Sequence, residues 1–206
     1  MTSIKTLWLL TAIWLFACSQ KNVNQKTNPV AIELNKQAMV LVPYIKNADS
    51  SLKAISLLDS ATTLDSNYFS GYYNKLMFLG QQKQYDKAIV AIQSLTRIQP
   101  LAHDLYLTGG MLYESTGDSI SSKKYFQKSL AICNMVLDTM SVSHRDYEMM
   151  VGNKAANLIM LGHPEQAKEV LQKLYDSIMD EELKSKLLLL MKKSRSELLT
   201  DFIESK

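Results

Sequence analysis

Ala54 and Ala88 lie 34 residues apart, and each opens the same run: Ala54-Leu58-Ala61-Leu64 and Ala88-Ile92-Leu95-Ile98. Spacings of four and three residues put each set on one stripe of a helix. Self-similarity at a fixed period of this length means stacked helical hairpins, because one hairpin cannot bury its apolar face alone and needs its neighbours. Seven Gly and four Pro in 206 residues suit long helices joined by short turns and argue against a sandwich or barrel. The expected fold is all-α: an α-solenoid of about four antiparallel helix hairpins, closed by a C-terminal capping helix.

The period extends to Ser122, again 34 residues on, with Phe126 and Ser129 in the following slots. The next matching slot is Ala167, followed by Leu171 and Leu174, so the interval there is 45 residues. About 11 residues are therefore added around Ile132 to Arg145. The run Leu130 to Met140 stays helically periodic, so an extended helix followed by a loop at 141–144 is expected. This insertion is either a lengthened linker or the place of a specialised contact. The units fall at about 35–68, 69–102, 103–147 and 148–181, within a repeat domain spanning 29–206. Pro29 starts an apolar-periodic helix ahead of the first regular slots, and Pro43 ends or kinks it because proline lacks the amide donor. The capping helix is expected over 182–205, where Leu183, Leu187, Leu190, Leu198, Leu199 and Phe202 stand among many Lys and Glu. A terminal helix of this kind covers the last apolar face of an array.

The unit from Phe69 to Ala102 resembles a tetratricopeptide repeat: a small residue at Ala88, the stripe Ile92 and Leu95, and a terminating Pro100. The third unit carries that family's first-helix pattern in Tyr106-x2-Gly109-Gly110-x2-Tyr113, followed by Gly117-Asp118. Glycine in mid-helix costs about 1 kcal/mol against alanine, so two adjacent ones imply close packing against a neighbouring helix. The preceding unit departs from the family, with Ser66 where Pro is usual. The resemblance covers roughly residues 35–181. It implies a concave groove lined by the first helices, in which an extended or helical peptide lies. The register places Tyr73, Asn74 and Met77 of the second unit on that face. Leu107, Thr108 and Met111 follow from the third unit, and Met149, Asn153 and Ala156 from the fourth. The inferred groove is apolar and amide-rich, without the Lys and Arg that members of the family use to clamp a carboxyl terminus. Each of these residues either touches a partner or packs within its own hairpin.

Residues 1–17 hold one charge, Lys5, then an apolar stretch from Leu7 to Ala17 that is too short for a permanent membrane span. This is the layout of a secretory signal peptide. The end Leu15-Phe16-Ala17-Cys18 resembles the lipobox of bacterial lipoproteins, in which the Cys becomes the acylated first residue; a plain signal peptide or an uncleaved anchor are the other readings. The resemblance implies several acyl chains on Cys18, and two or more chains anchor stably where one anchors marginally. Residues 18–28 then read as a polar tether with almost nothing to bury, spanning roughly 17 to 19 Å as a flexible chain. By the same resemblance, Ser19 after the Cys favours the outer membrane. No acidic cluster marks export to the cell surface, so a periplasm-facing, Bacteroidetes-like outer-membrane lipoprotein is expected. With Cys18 acylated, Cys133 has no internal disulfide partner and reads as a small buried apolar residue.

The chemistry found elsewhere is sparse. The chain has no Walker loop, no G-x-S-x-G, no H-E-x-x-H and no Cys pair at metal-ligand spacing, so neither enzyme activity, a cofactor nor a metal is expected. His103, His144 and His163 fall at or beside turns and are expected at the surface or as caps. Asp180-Glu181-Glu182 reads as the acidic start of a helix, favoured by its dipole. The formal charge of +3 drops to +2 without Lys5, too little to steer the chain toward nucleic acid. A protein or peptide partner is the expected ligand. The competing reading, a glycan-binding or uptake-associated outer-membrane lipoprotein, rests on longer relatives with ligand-binding insertions that this chain does not have.

Overall fold

The computed structural model describes residues 26–204; the leader, Cys18 and most of the tether lie outside the described residues. These residues form ten α-helices and no strand: α1 (Pro29–Met39), α2 (Ala48–Leu64), α3 (Phe69–Gln81), α4 (Tyr85–Ile98), α5 (His103–Ser115), α6 (Ser119–Leu137), α7 (Tyr147–Met160), α8 (Pro164–Ser177), α9 (Glu181–Lys192) and α10 (Arg195–Glu204). Consecutive helices from α1 to α8 pack on one another, and α1 packs on α3 and α5 on α7 across hairpins. This is an all-helical repeat solenoid. The first helices α1, α3, α5 and α7 form one face and the second helices α2, α4, α6 and α8 the other.

The slots read from the spacing are the core. Ala54, Ala88, Ser122 and Ala167 are at most 1% exposed, and so are Leu58, Ile92, Phe126 and Leu171. The two serines that replace apolar residues are hydrogen-bonded, as buried hydroxyls must be. Ser122 Oγ donates to Glu114 Oε2 at 2.8 Å, and Ser129 Oγ donates to the His103 carbonyl at 2.7 Å.

The glycine pair in α5 has the expected cause. A Cβ on Gly109 would lie 2.6 Å from Cε1 of Tyr125 and 2.8 Å from the Ile92 side chain, and one on Gly110 would fall under 3.0 Å from the Phe126 ring. Tyr106 and Tyr113, one turn to either side, flank the Tyr125 ring with centroids 5.5 and 5.0 Å away. Aromatic pairs at this separation and tilt add stabilisation beyond their buried area. The missing side chains thus let α6 lay Tyr125 and Phe126 directly on the α5 backbone.

The turns repeat one design. After α3, α5 and α7 the chain passes through a left-handed residue at Lys83 (φ 52°), Gly117 (φ 82°) or Gly162 (φ 86°). The next amide then returns to a carbonyl five residues back: Gln84 to Leu79, Asp118 to Tyr113, His163 to Leu158. These bonds satisfy the open carbonyls of the helix end. Where Ser66 replaces the usual proline, Arg97 of α4 secures the bend, its guanidinium donating to the Ser66 carbonyl at 2.6 Å and to Asn67 Oδ1 at 2.9 Å.

Four findings refine the sequence reading. The first hairpin begins at Pro29, capped by Asn28, whose Oδ1 accepts from the Val30 amide at 2.9 Å; Pro43 sits in a short 3₁₀ turn, Val42–Tyr44, after α1 has ended. The extended helix of the insertion is α6, which runs on to Leu137. His103 is 8% exposed, so its side chain is inside the array and not at the surface. The single capping helix expected over 182–205 is two helices. Ser194 breaks it: its Oγ and amide both bond Glu197 Oε2, and the Glu197 amide bonds back to Ser194 Oγ. This reciprocal serine–glutamate box starts a new helix. Asp180 caps α9, its Oδ1 accepting from the Leu183 amide at 3.0 Å, and Leu187 of α9 closes the core of the last hairpin.

Candidate partner-binding groove

The face of the first helices is divided in two. Its N-terminal half holds an open cavity of about 420 Å³ between α3, α5 and the end of the 3₁₀ turn. Tyr73, Leu76, Met77 and Gln81 line it from α3, Asp104, Leu105 and Thr108 from α5, and Ile45 closes one side. Helical periodicity explains the set: 73, 77 and 81, like 104 and 108, are successive turns of one face. Tyr73 is 52% exposed and stacks on Phe69, with ring centroids 5.8 Å apart, which orients an aromatic surface at the rim. Asp104 is the only charged lining residue.

Three of the groove residues named from sequence, Tyr73, Met77 and Thr108, therefore share this cavity. Asn74 does not face it: its Nδ2 donates to Asn35 Oδ1 of α1 at 2.8 Å, tying the first two hairpins together. Met149 is exposed, near the start of α7. Asn153 is half-buried, with Nδ2 3.3 Å from His103 Nδ1, and Ala156 lies on the same helix. Leu107 and Met111 do not line the open groove. Met111 is 6% exposed and packs with Phe126 and Met160, and Leu107 joins that cluster together with Leu198, Leu199 and Phe202 of α10. The C-terminal half of the face is thus covered by the chain's own last helix. Ile45, Gln81 and Asp104 carried no sequence signal of their own, since only the fold brings the 3₁₀ turn and two helices to one cavity.

Below the covered half lies a buried polar network. Asn157 is fully buried; its Nδ2 donates to Ser129 Oγ and to the Asn153 carbonyl, both at 2.8 Å, while its Oδ1 has no partner. Cys133, also fully buried, has its thiol pushed up to about 11 by desolvation, which leaves it an unreactive apolar residue. Burial lowers the His103 imidazole below its ordinary 6.5, against a smaller raising effect of neighbouring Asp104. The unfolded chain therefore takes up the proton first, so His103 contributes stability that is fully present above about pH 6.5 and is lost as the pH falls through the folded value. Thermal unfolding should shift to lower temperature between pH 7.5 and 5.5, and His103→Gln should flatten that dependence; an unchanged slope would contradict the burial of this ring. Among the described residues no group of three or more His, Cys, Asp or Glu side chains is placed to hold a metal ion, and no helix is long and apolar enough to cross a membrane.

None of the curated proteins matches the chain in sequence. In structure it is similar to MamA, with 18% identity over 76% of this chain and 81% of that one and a TM-score of 0.51. It is also similar to the nearly identical TPR-like repeats of a Podosopora anserina putative kinesin light chain, with 12% identity over 86% of this chain and 96% of that one and a TM-score of 0.55. At these identities the likeness is one of fold. Residues 69–100 and 103–134, the two hairpins that bound the open cavity, match the tetratricopeptide repeat family.

Proposed function

We propose that this chain is a lipid-anchored helical-repeat adaptor that holds a protein or peptide partner in the groove between its first helices. Tetratricopeptide repeats are protein-interaction scaffolds, and the observation that carries the reading to particular residues is the open cavity shared by Tyr73, Met77 and Thr108. An apolar side chain of the partner enters between Met77 and Leu105, Tyr73 supplies an adaptable aromatic rim, and Asp104 and Gln81 meet the partner's donors. The terminal residue of the partner is not a recognised carboxylate, because the cavity lining holds no Lys or Arg.

The test is affinity capture with the full chain, comparing wild type with the double variant Tyr73→Asp, Thr108→Arg. A partner held in the groove should be recovered at least about tenfold less by the variant, the loss expected when an aromatic contact is removed and a charged side chain is placed in the cavity beside it. Equal recovery by a variant of unchanged helix content contradicts the groove.

The leader supports anchoring through Cys18 in the outer membrane of a bacterium, facing the periplasm, with residues 19–28 as the tether. Metabolic labelling with a radioactive fatty acid should mark the wild-type chain and leave Cys18→Ser unlabelled. Equal labelling of both would remove the lipid anchor from this account.

A further inference from the structure

The core of the last hairpin is closed mainly by α9, and Leu198 is the residue of α10 that packs against it. Leu187 of α9 is 4% exposed and, with Leu183 and Leu190, completes the core against α8. α10 instead turns away at the Ser194 cap and lies on α5 and α7, two first helices, so that it occupies the position of a ligand helix. It is held as a ligand would be. Leu198, Leu199 and Phe202 form its apolar face against the cluster of Leu107, Met111 and Met160. Arg195, one turn earlier, pairs across the groove with Glu114 at 2.5 Å.

The seating is also loose. No residue of α10 is fully buried. A helix of 10 residues is shorter than one that is stable alone in water, so α10 persists through this docking.

We propose that α10 is a built-in occupant of the groove's C-terminal half, exchanged for an amphipathic helix of a partner protein that presents an adjacent pair of aliphatic residues, an aromatic one turn later and a basic residue one turn earlier. The basic residue is specified by Glu114, which also accepts from Ser122 Oγ and so is fixed in place to receive a cation. This rests on the groove reading above and extends it. The open half is always accessible, whereas the covered half becomes available only when the incoming helix outcompetes one tethered at high effective concentration.

The experiment uses the full chain and a fluorescent synthetic peptide of residues 193–206. Leu198→Ser with Phe202→Ser releases α10 while leaving every groove residue on α5 and α7 intact. The peptide should bind this variant at least tenfold more tightly than wild type. In wild type, amide exchange of α10 should run at least tenfold faster than that of α5 and α7 and rise further when the peptide is added. If helix content shows the double variant to be unfolded, Arg195→Glu, which turns the ion pair with Glu114 into a like-charge repulsion, replaces it, with about a threefold gain in peptide affinity expected. Equal peptide affinity for wild type and variant, or α10 amides exchanging as slowly as those of α5, would overturn the proposal. A dimer in which α10 swaps between two copies, seen by sedimentation, would overturn the partner helix in favour of a second chain. A partner whose capture depends on Tyr73 and Thr108 but is indifferent to the α10 variants would leave the groove reading standing and remove this one.

Discussion

Phe126→Ala should destabilise the chain by about 3–5 kcal/mol, the range for deleting a buried aromatic ring whose surroundings cannot collapse. Phe126 is 1% exposed, lies on the bare backbone of Gly110 and packs with Met111 and Met160. Gly110→Leu should cost about 1–3 kcal/mol by overpacking, even after the roughly 1 kcal/mol that a helix former gains over glycine. The two changes compensate each other, because the new Leu side chain enters the space the ring has left. The double variant should therefore be less destabilised than the sum of the singles by at least about 1 kcal/mol, read as urea midpoints. Strict additivity would mean that α5 and α6 are not apposed in this register.

Asn157→Asp should be the most damaging isosteric change, at about 3–5 kcal/mol near neutral pH, because it buries a charge with no counter-ion. The asparagine amide donates to Ser129 Oγ and to the Asn153 carbonyl. A carboxylate has no proton to offer either oxygen and repels the carbonyl. Its folded pKa must therefore rise above the unfolded value, so the variant is most stable below that unfolded value and weakens as the pH increases. Asn157→Leu makes the contrast. Ser129 still donates to the His103 carbonyl and the unpartnered Oδ1 disappears, so a cost within about 1 kcal/mol is expected. Chemical denaturation of both variants at pH 4.5 and pH 7.5 checks the pair; an aspartate variant as stable as wild type at pH 7.5 would place residue 157 in water.

The scaffold was legible because its rule is local. A small residue at one fixed slot of each second helix is imposed by the close approach of paired helices, and the interval from Ala54 to Ala88 to Ser122 carried it through three hairpins. The glycine pair was legible for the same reason, since only a close approach justifies Gly109-Gly110. The groove was legible in part. Helical phase puts Tyr73, Met77 and Thr108 on one face, but the same phase extends to Leu107 and Met111, and nothing local says that a helix from the chain end covers them. The one sequence sign of that return is Ser194-x-x-Glu197, a helix start inside an otherwise continuous apolar pattern. His103 misled because a turn-adjacent histidine is usually solvated, whereas here the packing of α5 on α6 and α7 encloses it. Asp104 and Ile45 gained meaning only from tertiary proximity across 59 residues of sequence.

The most direct test of a groove that holds a protein partner is photo-crosslinking from inside it in living cells. A benzoylphenylalanine at position 73 stands at the rim of the cavity, and one at position 90, on the exposed side of α4, serves as the outer-face control. The account predicts a discrete protein adduct from position 73 that is absent from position 90. Adducts that are the same from both positions, or that arise from position 90 alone, would contradict it.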